Sequence, residues 1–168
     1  MAYTIAAQKT YPSWGWWIVN GATTLYENWP IDAKSDISRN HIMFGEVGAW
    51  LYKGIAGIRP DENAPGFKNI IMELHFVDSL DSYASMHKGP YGNILCSWRK
   101  SNGLIESTIT VPPNSTATLH LPVTGDKKLY QDGQPVNTAT ALVKYTGKSA
   151  AGNMVYQLQA GTYHFSIR

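Results

Sequence analysis

The sequence predicts an α+β chain, helical in its first third and folded into an antiparallel β-sandwich after that. Three observations carry the prediction. The hydrophobic period is three to four before residue 59 and two after residue 66, a polar stretch with two prolines and a glycine separates the two regimes, and glycine, proline and asparagine clusters punctuate the second at regular intervals. The expected organisation is therefore residues 1–58 helical, 59–66 a linker (Arg59-Pro60-Asp61-Glu62-Asn63-Ala64-Pro65-Gly66) and 67–168 a sandwich.

Taken in order, Pro12 suits a first helical turn leading through Trp16 and Ile18, and Asn20-Gly21 supplies residues that tolerate a left-handed stop. A short helix from Leu25 to Trp29, ended by Pro30, is expected next. From Asn40, the residues Met43, Val47, Trp50, Leu51, Gly54, Ile55 and Ile58 share one stripe of a helix of about five turns, capped by Ser38 or Asn40 and stopped by Pro60. Five alternating runs follow, at 70–76, 94–98, 105–111, 117–121 and 162–167, each with one apolar and one polar face. With turns at Gly89-Pro90, Asn102-Gly103, Pro112-Pro113-Asn114, Gly125-Asp126, Asp132-Gly133 and Ala160-Gly161, seven or eight short strands are expected.

Composition excludes several classes. With 43% hydrophobic and 15% charged residues among 168, the chain lacks the signature of disorder. A net charge of +2, evenly spread, offers no basic face, so no nucleic-acid partner is expected. No run approaches the roughly 20 apolar residues of a helical membrane span, and no membrane partner is expected. Cys96 is the single cysteine and the five histidines are scattered, so neither a disulfide, a metal site nor a cofactor is predicted. No Gly-x-Ser-x-Gly elbow or phosphate loop is present.

Aromatic residues are concentrated at the start: four of the six tryptophans, Trp14, Trp16, Trp17 and Trp29, fall in the first 29 residues. Glu27 stands among them. A carboxylate between flat indole rings suits sugar chemistry, because rings stack on the apolar face of a pyranose and partial desolvation pushes a carboxyl towards a base-like pKa. The same spacing also suits a packed helix interface with a solvated Glu27, and both readings stand on the residues alone. His41, in the first turn of the expected long helix, could hydrogen-bond a sugar hydroxyl or serve as a cap. Helices this few and this aromatic lack partners within the chain, which predicts that it is the end of a longer protein and that it self-associates through its tryptophans, at least two of the four rings being solvent-exposed or covered by a neighbouring chain.

The run Pro12 to Trp29, Arg39-Asn40-His41, Phe44-Gly45-Glu46-Val47-Gly48-Ala49-Trp50-Leu51-Tyr52, Gly54-Ile55-Ala56-Gly57-Ile58, Pro65-Gly66-Phe67-Lys68, Gly89-Pro90-Tyr91-Gly92, Trp98 and Pro112 to Ala117 together resemble the C-terminal part of the bacterial α-L-rhamnosidases. The resemblance implies the last helices of a catalytic (α/α)6 barrel followed by an antiparallel β-sandwich, in an inverting glycosidase whose partner is a rhamnose-containing carbohydrate. It implies Glu27, in Ala-Thr-Thr-x-x-Glu-x-Trp, as general base, His41 as a contact to rhamnose, and Trp29 as support for the site. The family's general acid lies in an upstream motif with no counterpart here, so this chain alone is expected to be inactive. The alternative from another class is a non-catalytic carbohydrate-binding or scaffold module, with Trp98, Tyr83 and Tyr91 as a sugar platform on the sandwich.

Overall fold

A computed structural model describes residues 2–32, 38–136 and 142–168. The chain divides into two compact units, Met1–Leu51 and Tyr52–Arg168.

Among its described residues the first unit holds three short helices, α1 (Ala2–Ala7), α2 (Trp14–Val19) and α3 (Glu46–Trp50). The start of α2 is set by Ser13, buried, whose Oγ accepts from the Trp16 N–H at 2.9 Å and donates to the Gln8 carbonyl. Its end falls at Asn20-Gly21 as expected, with Gly21 at φ 84°. Gly15 lets α2 lie against the end of α1: a Cβ there would stand 2.4 Å from the Gln8 carbonyl oxygen.

Two helical expectations are corrected. No helix forms over Leu25–Trp29, because that segment pairs through its backbone with residues 38–41. The long helix does not begin at Asn40: Ser38 Oγ caps a local turn by accepting from the Asn40 N–H at 3.1 Å, and helical geometry starts at Glu46. α3 then passes into a π-helical turn, Leu51–Ala56, and the winding ends at Gly57, φ 70°, rather than at Pro60. Among the described residues no helix is long and apolar enough to cross a membrane.

The second unit is built of two sheets. One has the order β1-β2-β6-β10-β9 and the other β3-β4-β5-β11-β7-β8. The strands are β1 (Ile58–Pro60), β2 (Asn69–Glu73), β3 (Ser82–Gly89), β4 (Gly92–Ser101), β5 (Leu104–Val111), β6 (Thr116–Leu121), β7 (Leu129–Gln131), β8 (Gln134–Pro135), β9 (Val143–Lys148), β10 (Met154–Leu158) and β11 (Gly161–Ile167). Each sheet buries alternate residues: Ile70, Met72, Ala117, Leu119, Leu121, Tyr156 and Leu158 from the first, and Ile94, Cys96, Trp98, Ile109, Val111, Tyr163, Phe165 and Ile167 from the second. These two faces make the core.

The sandwich is not wholly antiparallel, since β2 and β6 pair in parallel with Asn69 opposite Thr116 and Met72 opposite Leu119. The stretch expected as a linker also opens in a strand, because Ile58–Pro60 pairs with Ile70–Met72 along an edge, where the missing N–H of Pro60 is tolerated. Its remainder is a closed turn in which Asp61 Oδ1 accepts from the Asn63 N–H and Oδ2 from Asn69. Those bonds hold the Asp61 carboxyl below its usual pKa, the Asn69 amide first among the causes.

Candidate functional site

The first unit is organised by an aromatic cluster. Trp17, 2% exposed, sits against Trp29 (ring centroids 4.6 Å apart), Phe44 (5.5 Å) and Tyr26 (5.6 Å), and Trp29 also meets Phe44 at 4.3 Å and the edge of Trp14 at 5.2 Å. Two indole N–H groups pin the cluster to the backbone, Trp17 Nε1 to the Trp29 carbonyl at 2.9 Å and Trp14 Nε1 to the Phe44 carbonyl at 3.1 Å. The rings thus spend most of their surface on one another. Trp14, Trp16 and Trp29 are half-buried, so no ring among the four is fully exposed, and the open apolar surface is aliphatic: Ile42 is 86% and Ile18 71% exposed.

Against this cluster run two segments zipped by hydrogen bonds. The Glu27 N–H donates to the Ser38 carbonyl at 2.9 Å, the His41 N–H to the Leu25 carbonyl at 2.8 Å, and the Thr24 hydroxyl to the Arg39 carbonyl. Arg39 lies over the Tyr26 ring and reaches the Ile31 carbonyl at 3.0 Å, which ties the second segment to the first.

The zipper fixes both predicted site residues. Glu27 is half-buried, and its Oε2 accepts the Ser38 N–H at 2.9 Å, which orients the carboxylate and leaves Oε1 without a partner among the described residues. His41 accepts the Met43 N–H on Nδ1 at 3.0 Å. A main-chain N–H can only donate, so Nδ1 is the acceptor here and Nε2 is the ring nitrogen that can donate. Chemically the pair offers a fixed acceptor and a fixed donor on adjacent segments. Trp29, the third predicted residue, belongs to the cluster and supports the segment carrying Glu27 through packing.

An apolar hollow of about 420 Å³ in the same unit is lined by Ala2, Ile5, Trp14, Phe44, Val47 and Trp50 among others, with neither Glu27 nor His41 on its wall. Sequence reading names Ser38 only as a candidate helix cap and Thr24 and Arg39 only as members of motifs, none of them as a site residue; the Thr-Thr of the Glu27 motif is the available signal for Thr24, whereas the main-chain donor of Ser38 has no sequence signal at all. On the sandwich, Trp98 is 2% exposed and part of the core, which removes it from any surface platform; Tyr83 is half-buried and Tyr91 is exposed. Among the described residues no group of three or more His, Cys, Asp or Glu could hold a metal ion.

The helical unit carries an aromatic cluster and an oriented carboxylate, and a β-sandwich follows it in the chain, the order of parts found in one class of glycosidases. Residues 1–55 match the family described as the bacterial alpha-L-rhamnosidase 6 hairpin glycosidase domain, and residues 57–136 the bacterial alpha-L-rhamnosidase C-terminal domain. The chain belongs to the bacterial α-L-rhamnosidase family. It is 30% identical over 175 residues to an α-L-rhamnosidase of Formosa agariphila, an alignment covering 100% of this chain and 18% of that protein. The solved α-L-rhamnosidase of Dictyoglumus thermophilum superposes with a TM-score of 0.84 at 33% identity, and that of Streptomyces avermitilis, complexed with L-rhamnose, with 0.83 at 26%; each covers 99% of this chain. The chain spans 16% to 18% of the length of these relatives.

Proposed function

We propose that this chain is the C-terminal piece of an inverting glycoside hydrolase that removes terminal α-L-rhamnosyl groups, with Glu27 as general base and His41 as a contact to a rhamnose hydroxyl. The helices up to the π turn belong, on this reading, to the end of an (α/α)6 catalytic barrel, and the sandwich follows it. The observation that supports this best is the zipper: Oε2 of Glu27 is held by the Ser38 N–H, and Oε1 is left to a water. In the reaction, Glu27 takes a proton from that water as its oxygen bonds to the anomeric carbon, while the glycosidic bond breaks on the opposite face and the leaving oxygen is protonated by a general acid. Inversion places the two carboxyls roughly 6.5–9.5 Å apart to admit the water. The His41 Nε2–H donates to a ring hydroxyl and Trp29 stiffens the wall.

On this reading the acid is carried upstream of these residues, and general acid assistance is worth ~10²–10⁴-fold, most for a poor leaving group such as a sugar hydroxyl. The purified chain is therefore expected to leave a rhamnosyl disaccharide intact, while L-rhamnose shifts the backbone NMR signals of Glu27, Ser38 and His41. Disaccharide cleavage above the buffer blank that vanishes in Glu27→Gln would show a complete enzyme instead, and an L-rhamnose titration that leaves those three residues unmoved would remove the assignment of the site.

A further inference from the structure

One end of the sandwich carries a cleft of its own. It has a volume of about 360 Å³, within the range of small-ligand sites, and its wall includes Lys68, Asn114, Thr116 and Gln159. Its construction is stiff. Ser115, 4% exposed, donates from Oγ to the Phe67 carbonyl at 2.9 Å, the Thr116 N–H donates to the Lys68 carbonyl at 3.0 Å, and Lys68 Nζ donates to the Asn114 carbonyl at 2.7 Å. These three bonds hold Phe67 at φ 62°, a left-handed conformation that a bulky residue adopts only when its surroundings impose it. Across the cleft, Gln159 is pinned through its main chain alone: its N–H donates to the Leu142 carbonyl at 3.0 Å and its carbonyl accepts the Tyr163 hydroxyl at 2.8 Å.

The side chains are left over. Among the described residues the amides of Asn114 and Gln159 have no partner, and Lys68 uses one of its three N–H groups. The same ammonium stands 5.3 Å from the centroid of Tyr91, 39% exposed, which steadies an aromatic ring beside the cleft. Two free amides, two free ammonium protons and an exposed ring on a rigid frame match a pyranose, whose hydroxyls need donors and acceptors together and whose C–H face needs a flat apolar partner.

We infer that this cleft is an accessory binding site for a neutral glycosyl unit of the glycan, separate from the Glu27 and His41 segments and independent of their assignment. Its test is an NMR titration of the full chain with α-L-rhamnosyl-(1→2)-D-glucose. The side-chain amide signals of Asn114 and Gln159 and the backbone signals of Lys68 and Thr116 are expected to shift with millimolar affinity, and Tyr91→Ala to weaken that binding by ~5-fold or more. Gln159→Ala, which leaves the main-chain bonds of that residue in place, is expected to weaken it while the remaining spectrum stays native. Absence of these shifts, shifts untouched by both variants, or the same shifts produced by sodium sulfate and not by the disaccharide would each overturn the site, whatever happens at Glu27.

Discussion

Cys96 illustrates how far one buried side chain constrains behaviour. It lies in β4 with no exposed surface, and burial pushes its thiol up from 9.0 to about 12. A neutral, enclosed thiol is a poor nucleophile, so Ellman's reagent is expected to leave Cys96 unmodified in the folded protein at pH 8 and to react stoichiometrically once urea unfolds it. The same shift has a sign in stability. Between pH 9 and 12 the unfolded chain releases the thiol proton and the folded one keeps it, so stability falls as pH rises, by at most about 1.4 kcal/mol per unit. Tyr83, Tyr156 and Tyr163, each raised chiefly by burial, push the same way at higher pH. At this scale the sequence offers residue types and not their geometry. Glu27, His41 and Trp29 were visible as residue types in a pattern, but the Ser38 N–H that aims the carboxylate is a backbone group, identical in every non-proline residue, and only folding reveals it.

Among the elements, legibility followed the cleanness of the period. β5, β6 and β11 alternate without interruption and form where alternation places them, and Asn102-Gly103 and Asp132-Gly133 turn with both residues at positive φ, as two-residue hairpin loops require. β3 and β9 lie at sheet edges and have few buried residues, so their sequences carry little contrast, and β10 alternates clearly only at Tyr156 and Leu158. The long helical stripe from Asn40 was misleading because its first residues satisfy their backbone groups across the zipper rather than along a helix. Gly57 is where the winding gives way to strand. A Cβ there would stand 1.8 Å from the Glu73 carbonyl oxygen, at φ 70°, while the Gly57 carbonyl accepts the Glu73 N–H at 3.2 Å. Gly57→Ala is therefore expected to cost more than about 3 kcal/mol in urea unfolding, whereas Gly103→Ala, which meets nothing within 4 Å, costs only its backbone strain of ~1 kcal/mol.

At the scale of the whole molecule, the two units differ in how well they cover their apolar surface. The sandwich encloses its core between two sheets, while the first unit leaves Ile5, Ile18, Val19, Ile42 and Met43 open. Such surface promotes association, so analytical ultracentrifugation is expected to show concentration-dependent self-association that the double variant Ile18→Lys, Ile42→Lys suppresses, with the thermal transition of the sandwich unchanged. The parallel pairing of β2 with β6 has another kind of consequence, in the order of events during synthesis. Antiparallel neighbours can close by a hairpin, but a parallel pair cannot, and between β2 and β6 the polypeptide leaves to lay down β3, β4 and β5 in the opposite sheet before returning. Completion is deferred further still: β10 belongs between β6 and β9, and β11, which follows it, belongs between β5 and β7. On the ribosome, then, the first sheet waits with an interior slot empty until residue 158 has emerged and the second until residue 167, and the unfilled edges of β6 and β5 are what a chaperone would meet in the meantime.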